Sequence, residues 1–180
     1  MKNVLIGGIG NVLLGDDGIG PYCLGMLEAA YEFEAGVEMV DLGTPALDLV
    51  DNISGRDAII FIDSVTTGAA AGTVTLFHKA DIVRQGASPR MNTHSPALVD
   101  TLLGAEFLGV CPTNVLLVGI EAESFDAGCA LSPLVGASVT RVLDEVLREL
   151  DRLGVEYRLR SNPQATAIWW ESEVPASASV

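Results

Sequence analysis

Residues 3–20 read NVLIGGIGNVLLGDDGIG, and residues 21–31 continue as PYCLGMLEAAY. Asn3 to Ile9 is a short, nearly unbroken apolar run, the mark of a strand covered on both faces. Gly10 to Gly20 is a glycine-rich connection carrying Asp16 and Asp17, and Pro21 to Tyr31 has helical spacing. Strand, turn and helix in that order predict the first unit of an α/β sheet.

The alternation continues along the chain. Val37 to Val40, Ala58 to Ile62, Thr73 to Phe77 and Val115 to Ile120 read as further strands, and Ala46 to Val50, Pro96 to Leu108 and Pro133 to Leu153 as helices. The last helix is the most explicit. Ser132 can cap it, Pro133 sits at its first turn, Val135, Val139, Val142, Leu143, Val146, Leu147 and Leu150 form its apolar stripe, and Gly154 ends it. The order β-α-β-α-β-β-α-β-α predicts a three-layer α/β/α domain with a mostly parallel sheet. The stretch from Thr66 to Gly72 is too short for a crossover helix, so Thr73 to Phe77 is expected to pair antiparallel at an edge. One domain is expected over residues 1–160. Residues 161–180, rich in Ala, Ser and Pro around Trp169-Trp170, read as a C-terminal tail: an arm with packed aromatics, or else a strip for a partner.

Composition narrows the function. The chain has 180 residues, 49% of them hydrophobic, with 10 Lys and Arg against 24 Asp and Glu, which supports a substantial core in one domain. A formal charge of −14 repels phosphate backbones and anionic headgroups, so neither nucleic acid nor a membrane surface is an expected partner. Cys23, Cys111 and Cys129 are widely spaced and odd in number, as suits reduced thiols. The apolar start is broken by Gly7, Gly8 and Gly10 and runs into Asp16-Asp17, unlike a secretory signal. No run approaches the roughly 18 apolar residues of a membrane span. The expected compartment is the cytoplasm.

In an open parallel sheet, ligands sit beyond the carboxyl ends of the strands where the strand order reverses. Asp16 and Asp17 follow the first strand, Asp41 the second, Asp63 the third, and Glu121 and Glu123 the fifth, with no Lys or Arg among them. Such a gathering repels itself unless a cation fills it or the oxygens accept hydrogen bonds. His94, one of two histidines, stands just before the helix that leads into the fifth strand. Asp17, Asp63 and His94 are therefore the expected metal-binding trio, two carboxylates and an imidazole suited to a divalent transition ion with open positions. Singly, each has an ordinary explanation as a helix cap, a turn residue or a loop residue; together they share one edge. His78 and the cysteines read as structural, and Ser95 is too close in sequence to His94 to be its nucleophile.

Two other uses of this scaffold fit less well. A dinucleotide loop needs G-x-G-x-x-G, but Gly8-Ile9-Gly10-Asn11-Val12-Leu13 lacks the third glycine and places acids where a pyrophosphate would lie. A phosphoacceptor receiver needs a lysine after its last strand, where Glu121-Ala122-Glu123 stands.

Gly10-Asn11-x-Leu13-x-x-Asp16-Asp17-Gly18-x-Gly20, Asp41-x-Gly43-Thr44, the strand into Asp63, Thr93-His94, Val118-Gly119-Ile120 with Glu123-Ser124, and Leu131-Ser132-Pro133 together resemble the hydrogenase maturation endopeptidases. The resemblance runs over about residues 3–153. It implies a twisted five-stranded sheet with helices on both faces, and metal contacts at Asp17, Asp63 and His94. It also implies the activity: removal of a short C-terminal extension from a [NiFe] hydrogenase large-subunit precursor that already carries nickel. The nickel is then supplied by the substrate, although other divalent transition metals could occupy the trio. The expected chemistry is peptide hydrolysis, aspartic-type or metal-dependent, with Asp17, Asp63 and His94 at its centre and Asp16 as an available base. Asp41, Gly43 and Thr44 are expected to wall the substrate cleft, or else to form an ordinary strand-to-helix turn. The competing expectation is a nickel-binding carrier or regulatory module that cuts nothing.

Overall fold

The computed structural model describes residues 1–44, 49–85, 95–163, 168 and 170. Five strands form the main sheet: β1 (Val4–Ile9), β3 (Val37–Gly43), β4 (Ala58–Val65), β5 (Val74–His78) and β6 (Asn114–Glu121). Their spatial order is β3-β1-β4-β6-β5, parallel except for β5, which pairs antiparallel with β6 at the edge as expected. A separate antiparallel pair, β2 (Tyr31–Phe33) with β7 (Tyr157–Leu159), was not expected. Three residues each are too few to show a period, and Tyr31, Phe33 and Tyr157 hold the pair together through ring contacts.

The helices are α1 (Ile19–Ala30), α2 (Leu49–Ile53), α3 (Lys79–Gln85), α4 (Ser95–Phe107) and α5 (Pro133–Leu153). The α3 segment, which follows β5 directly, was also not expected, and the first half of the helix expected from Ala46 lies outside the described residues. At α5, Ser132 accepts a hydrogen bond from the Val135 N–H, Pro133 opens the helix, and Gly154 closes it at φ 70°.

Two cores lie on opposite faces of the sheet. Ile6, Ile60, Ile62 and Val118 pack against Ile19, Cys23 and Leu27 of α1 and Val135, Val142 and Leu150 of α5. Leu5, Ile59, Phe61 and Leu117 pack against Leu49 and Ile53 of α2, Ile82 of α3, and Leu98 and Leu102 of α4. The neighbours on each strand alternate between these cores, as the period of two requires. Beyond Arg160, Ile168 and Trp170 are buried, and Ile168 approaches Gly25 of α1.

The chain leaves β1 through α1 to reach β3 on one side, then returns through α2 on the other face to β4, on β1's other side. The strand order therefore reverses between β1 and β4. In this class of sheet the crevice at that point, outside the carboxyl ends, receives the ligand.

Candidate active site

Glycines bring the turn after β1 onto the sheet. A Cβ at Gly20 would overlap the backbone of Ile9 and come within 2.6 Å of the Ile62 carbonyl oxygen, and one at Gly8 would lie 2.7 Å from the Gly20 carbonyl carbon. Only hydrogen there lets the start of α1 rest on the ends of β1 and β4. Gly10, at φ 131°, runs so close to the Asp17 carbonyl that no side chain fits.

That path seats Asp17 over the crevice, 3% exposed. Its Oδ2 accepts the Asn11 N–H at 2.9 Å, and its Oδ1 accepts the Ser64 hydroxyl at 2.9 Å. Ser64 and Asp63 were expected just past the third strand. They lie inside it instead, because β4 runs on to Val65 and pairs with β6 as far as Glu121. Alternation then assigns their sides. Phe61 and Val65 belong to the core under α2 and α4, so Asp63 faces that side, while Ser64 turns toward α1 and holds Asp17. Asp63 is 2% exposed. The two aspartates thus reach the same end of the sheet from opposite faces.

His94 lies outside the described residues. It directly precedes Ser95, where α4 begins. Since α4 packs on Asp63's face and its far end leads into the start of β6, its first residue lies toward the carboxyl ends of the strands. Among the described residues no three His, Cys, Asp or Glu side chains form a cluster that could hold an ion.

Asp16, Glu121 and Asp41 accept mainly backbone N–H groups, and Glu123 is exposed. Asp16, 1% exposed, accepts the N–H groups of Glu123 at 2.8 Å, Ser124 at 3.1 Å and Ser132 at 2.7 Å. At Asp16, expected as an available base, both oxygens thus already face fixed donors. Glu121 accepts the N–H and hydroxyl of Thr67 and the N–H of Gly68, tying down the β4–β5 connection. Asp41 is exposed and accepts the Gly43 N–H at 2.9 Å, a local turn whose Gly43 carbonyl accepts the Gly10 N–H at 2.7 Å. Thr44 is exposed beside it. Hydrogen bonds thus answer part of the expected repulsion at Asp16, Asp41 and Glu121. Ser64 and Asn11 are the site residues that sequence reasoning missed, and the only available signal was their position next to Asp63 and Gly10.

Beside the turn, Gly15, Ser124, Gly128 and Cys129 line part of an open cavity of about 350 Å³. Cys23 is fully buried, and burial pushes its thiol's pKa up, consistent with packing rather than reactivity.

A family model for hydrogenase maturation proteases matches residues 21–149. The hydrogenase expression/formation protein HoxM of Azotobacter vinelandii is 35% identical over 85% of this chain and 74% of its own. The hydrogenase 2 maturation protease of Escherichia coli is 31% identical over 85% of this chain and 93% of its own. Among solved structures, the hydrogenase maturating endopeptidase HybD from E. coli superposes with a TM-score of 0.84 at 32% identity, covering 89% of this chain and 99% of that one.

Proposed function

The chain belongs to the hydrogenase maturation protease family, and from that premise we propose that it is the endopeptidase that trims the C-terminal extension of a [NiFe] hydrogenase large-subunit precursor already loaded with nickel. The observation that carries this reading is the arrival of two buried aspartates, Asp17 and Asp63, from opposite faces at the crevice between β1 and β4.

In this reading the nickel is part of the substrate. Asp17, Asp63 and His94 engage it from one side while the precursor holds it from the other, and the scissile peptide is thereby fixed beside the crevice. Two carboxylates and an imidazole suit such an ion by type. Hydrolysis adds water across one peptide bond. A base removes a proton as the water oxygen bonds to the carbonyl carbon, and the amide nitrogen departs protonated. The trio contains groups of the right kind for both transfers. Asp41, Gly43 and Thr44 form the neighbouring wall, where the exposed Thr44 can hydrogen-bond a passing backbone. Other divalent transition ions can take nickel's place on the trio. We place the reaction in the cytoplasm, a reading supported by the free thiols of Cys23, Cys111 and Cys129. No helix among the described residues is long and apolar enough to cross a membrane.

The test is incubation with nickel-loaded precursor, following loss of its C-terminal peptide by mass spectrometry. Wild type is expected to release the peptide and Asp17→Asn to release none detectable above background. Cleavage that survives the substitution overturns the site. A protein that binds nickel yet never cuts is the carrier instead. Calorimetric titration of nickel into His94→Ala is expected to show weaker binding than wild type, and equal binding removes His94 from the trio.

A further inference from the structure

Asp16 and Asp17 are adjacent in sequence and both buried, yet their side chains serve different neighbours. Asp17 turns to Ser64 and Asn11, at the crevice. Asp16 turns away, to the N–H groups of Glu123, Ser124 and Ser132, which lie 107, 108 and 116 residues further along the chain. Ser132 caps the 21-residue helix α5, so the Asp16 carboxylate also stands at the positive end of a long helix dipole. Backbone bonds run alongside. The Asp16 N–H donates to Ser124 O, the Gly15 N–H to Gly128 O, and the Gly128 N–H to Leu13 O. The turn that presents Asp17 is therefore fastened from behind to the segment that leaves β6 and enters α5.

We infer that Asp16 is a positioning residue: its carboxylate bolts the Gly15–Gly18 turn to the 123–132 segment and the α5 cap, and so sets where the Asp17 carboxylate stands in the crevice. Asp17 accepts the Asn11 N–H and the Ser64 hydroxyl and sits in a turn of four residues that begins at Gly15. A turn this short transmits a shift at Asp16 directly to its neighbour. The consequence for catalysis rests on the reading of Asp17 given above, whereas the mechanical coupling does not.

The test uses the full chain and two readouts. Amide hydrogen exchange, followed by NMR well below the unfolding temperature, compares wild type with Asp16→Asn. The Glu123, Ser124 and Ser132 amides are expected to lose protection. The Asn11 amide, whose acceptor is Asp17 Oδ2, is expected to lose about tenfold with them, while Ile60 in β4 keeps its protection. If Asn11 keeps its protection while the other three lose theirs, Asp16 anchors only its own loop and the inference is overturned. Should Asp16→Asn not fold, Ser132→Pro takes its place. Ser132 has φ −60°, which proline accepts, and the change removes the donated N–H while Asp16 stays intact. Ser132→Ala, which loses only the hydroxyl, is its control. Asn11 is expected to loosen in Ser132→Pro and not in Ser132→Ala, and equal behaviour overturns the inference.

In the cleavage assay, Asp16→Asn is expected to raise KM for the precursor at least tenfold with kcat within about threefold. A kcat loss of several hundredfold with an unmoved Asn11 amide makes Asp16 the base instead. A wild type that cuts no precursor defeats the proposed function while leaving the exchange result to decide the coupling.

Discussion

The two ends of the sheet treat acidic residues differently. At the amino ends of the parallel strands, carboxylates meet cations: Glu38 pairs with Arg56, Glu106 with Lys79, and Glu149 with Arg152, which also donates to Asn114 at the start of β6. At the carboxyl ends, Asp16 and Glu121 are held by backbone N–H groups and a threonine hydroxyl. Neutral donors satisfy the oxygens without cancelling a charge. Among the described residues, one end thus pairs most of its acids with cations, and the other holds Asp16 and Glu121 in shape while leaving their charge attractive to a cation. In a chain of net charge −14, the contrast lies in where Arg56, Lys79 and Arg152 stand, which total charge does not reveal.

The sharpest way to break the contrast is to remove the carboxyl end's geometry. Gly20→Ala pushes a methyl into the backbone of Ile9 and Ile62, neither of which can rotate away, and the expected loss is more than about 3 kcal/mol by chemical denaturation. A loss under about 1 kcal/mol would show that α1 can retreat from the sheet. Next in size is Glu121→Gln. One amide group then faces donors that need an acceptor, and the expected cost is about 1–3 kcal/mol, with faster exchange at the Thr67 and Gly68 amides. At the other end, Arg152→Met is expected to cost about 1 kcal/mol, because water screens the half-exposed arginine while the buried Glu149 loses its cation. If this loss exceeds that of Glu121→Gln, the ranking of the two ends is reversed.

The smallest effect is expected at Glu32. The Arg158 hydrogen bond and charge hold its carboxyl below the usual range. A lowered folded-state pKa contributes stability that is present above the unfolded value of about 4.3 and disappears as pH falls through the folded one. Glu32→Gln should therefore melt slightly earlier than wild type at pH 7, and the gap should close in melts taken on the acid side of pH 4. A gap that widens in acid contradicts the assigned direction.

Much of the fold was legible because burial on both faces leaves no room for polar residues: Val4–Ile9, Ala58–Ile62 and Val115–Ile120 can hardly be anything but inner strands. The capped and striped α5 was equally plain. The end of β4 was not, since Asp63 and Ser64 look like the polar stop of a strand whose pairing with β6 in fact continues to Val65. Nor was the division between Asp16 and Asp17. Both are acids in one glycine-rich turn, and what separates them is donors more than a hundred residues away for one and a serine on the neighbouring strand for the other. A pattern read locally shows that a carboxylate is present, but the direction it faces is set by tertiary structure.

The crossover between β1 and β4 has a consequence for timing. Asp17 and Asp63 reach the same edge only when two strands some fifty residues apart lie side by side with a helical layer on each flank. Parallel pairing of this kind closes long loops and forms slowly. A fragment that lacks either strand therefore cannot bring both acids to that edge, and the paired site exists only once the sheet is assembled.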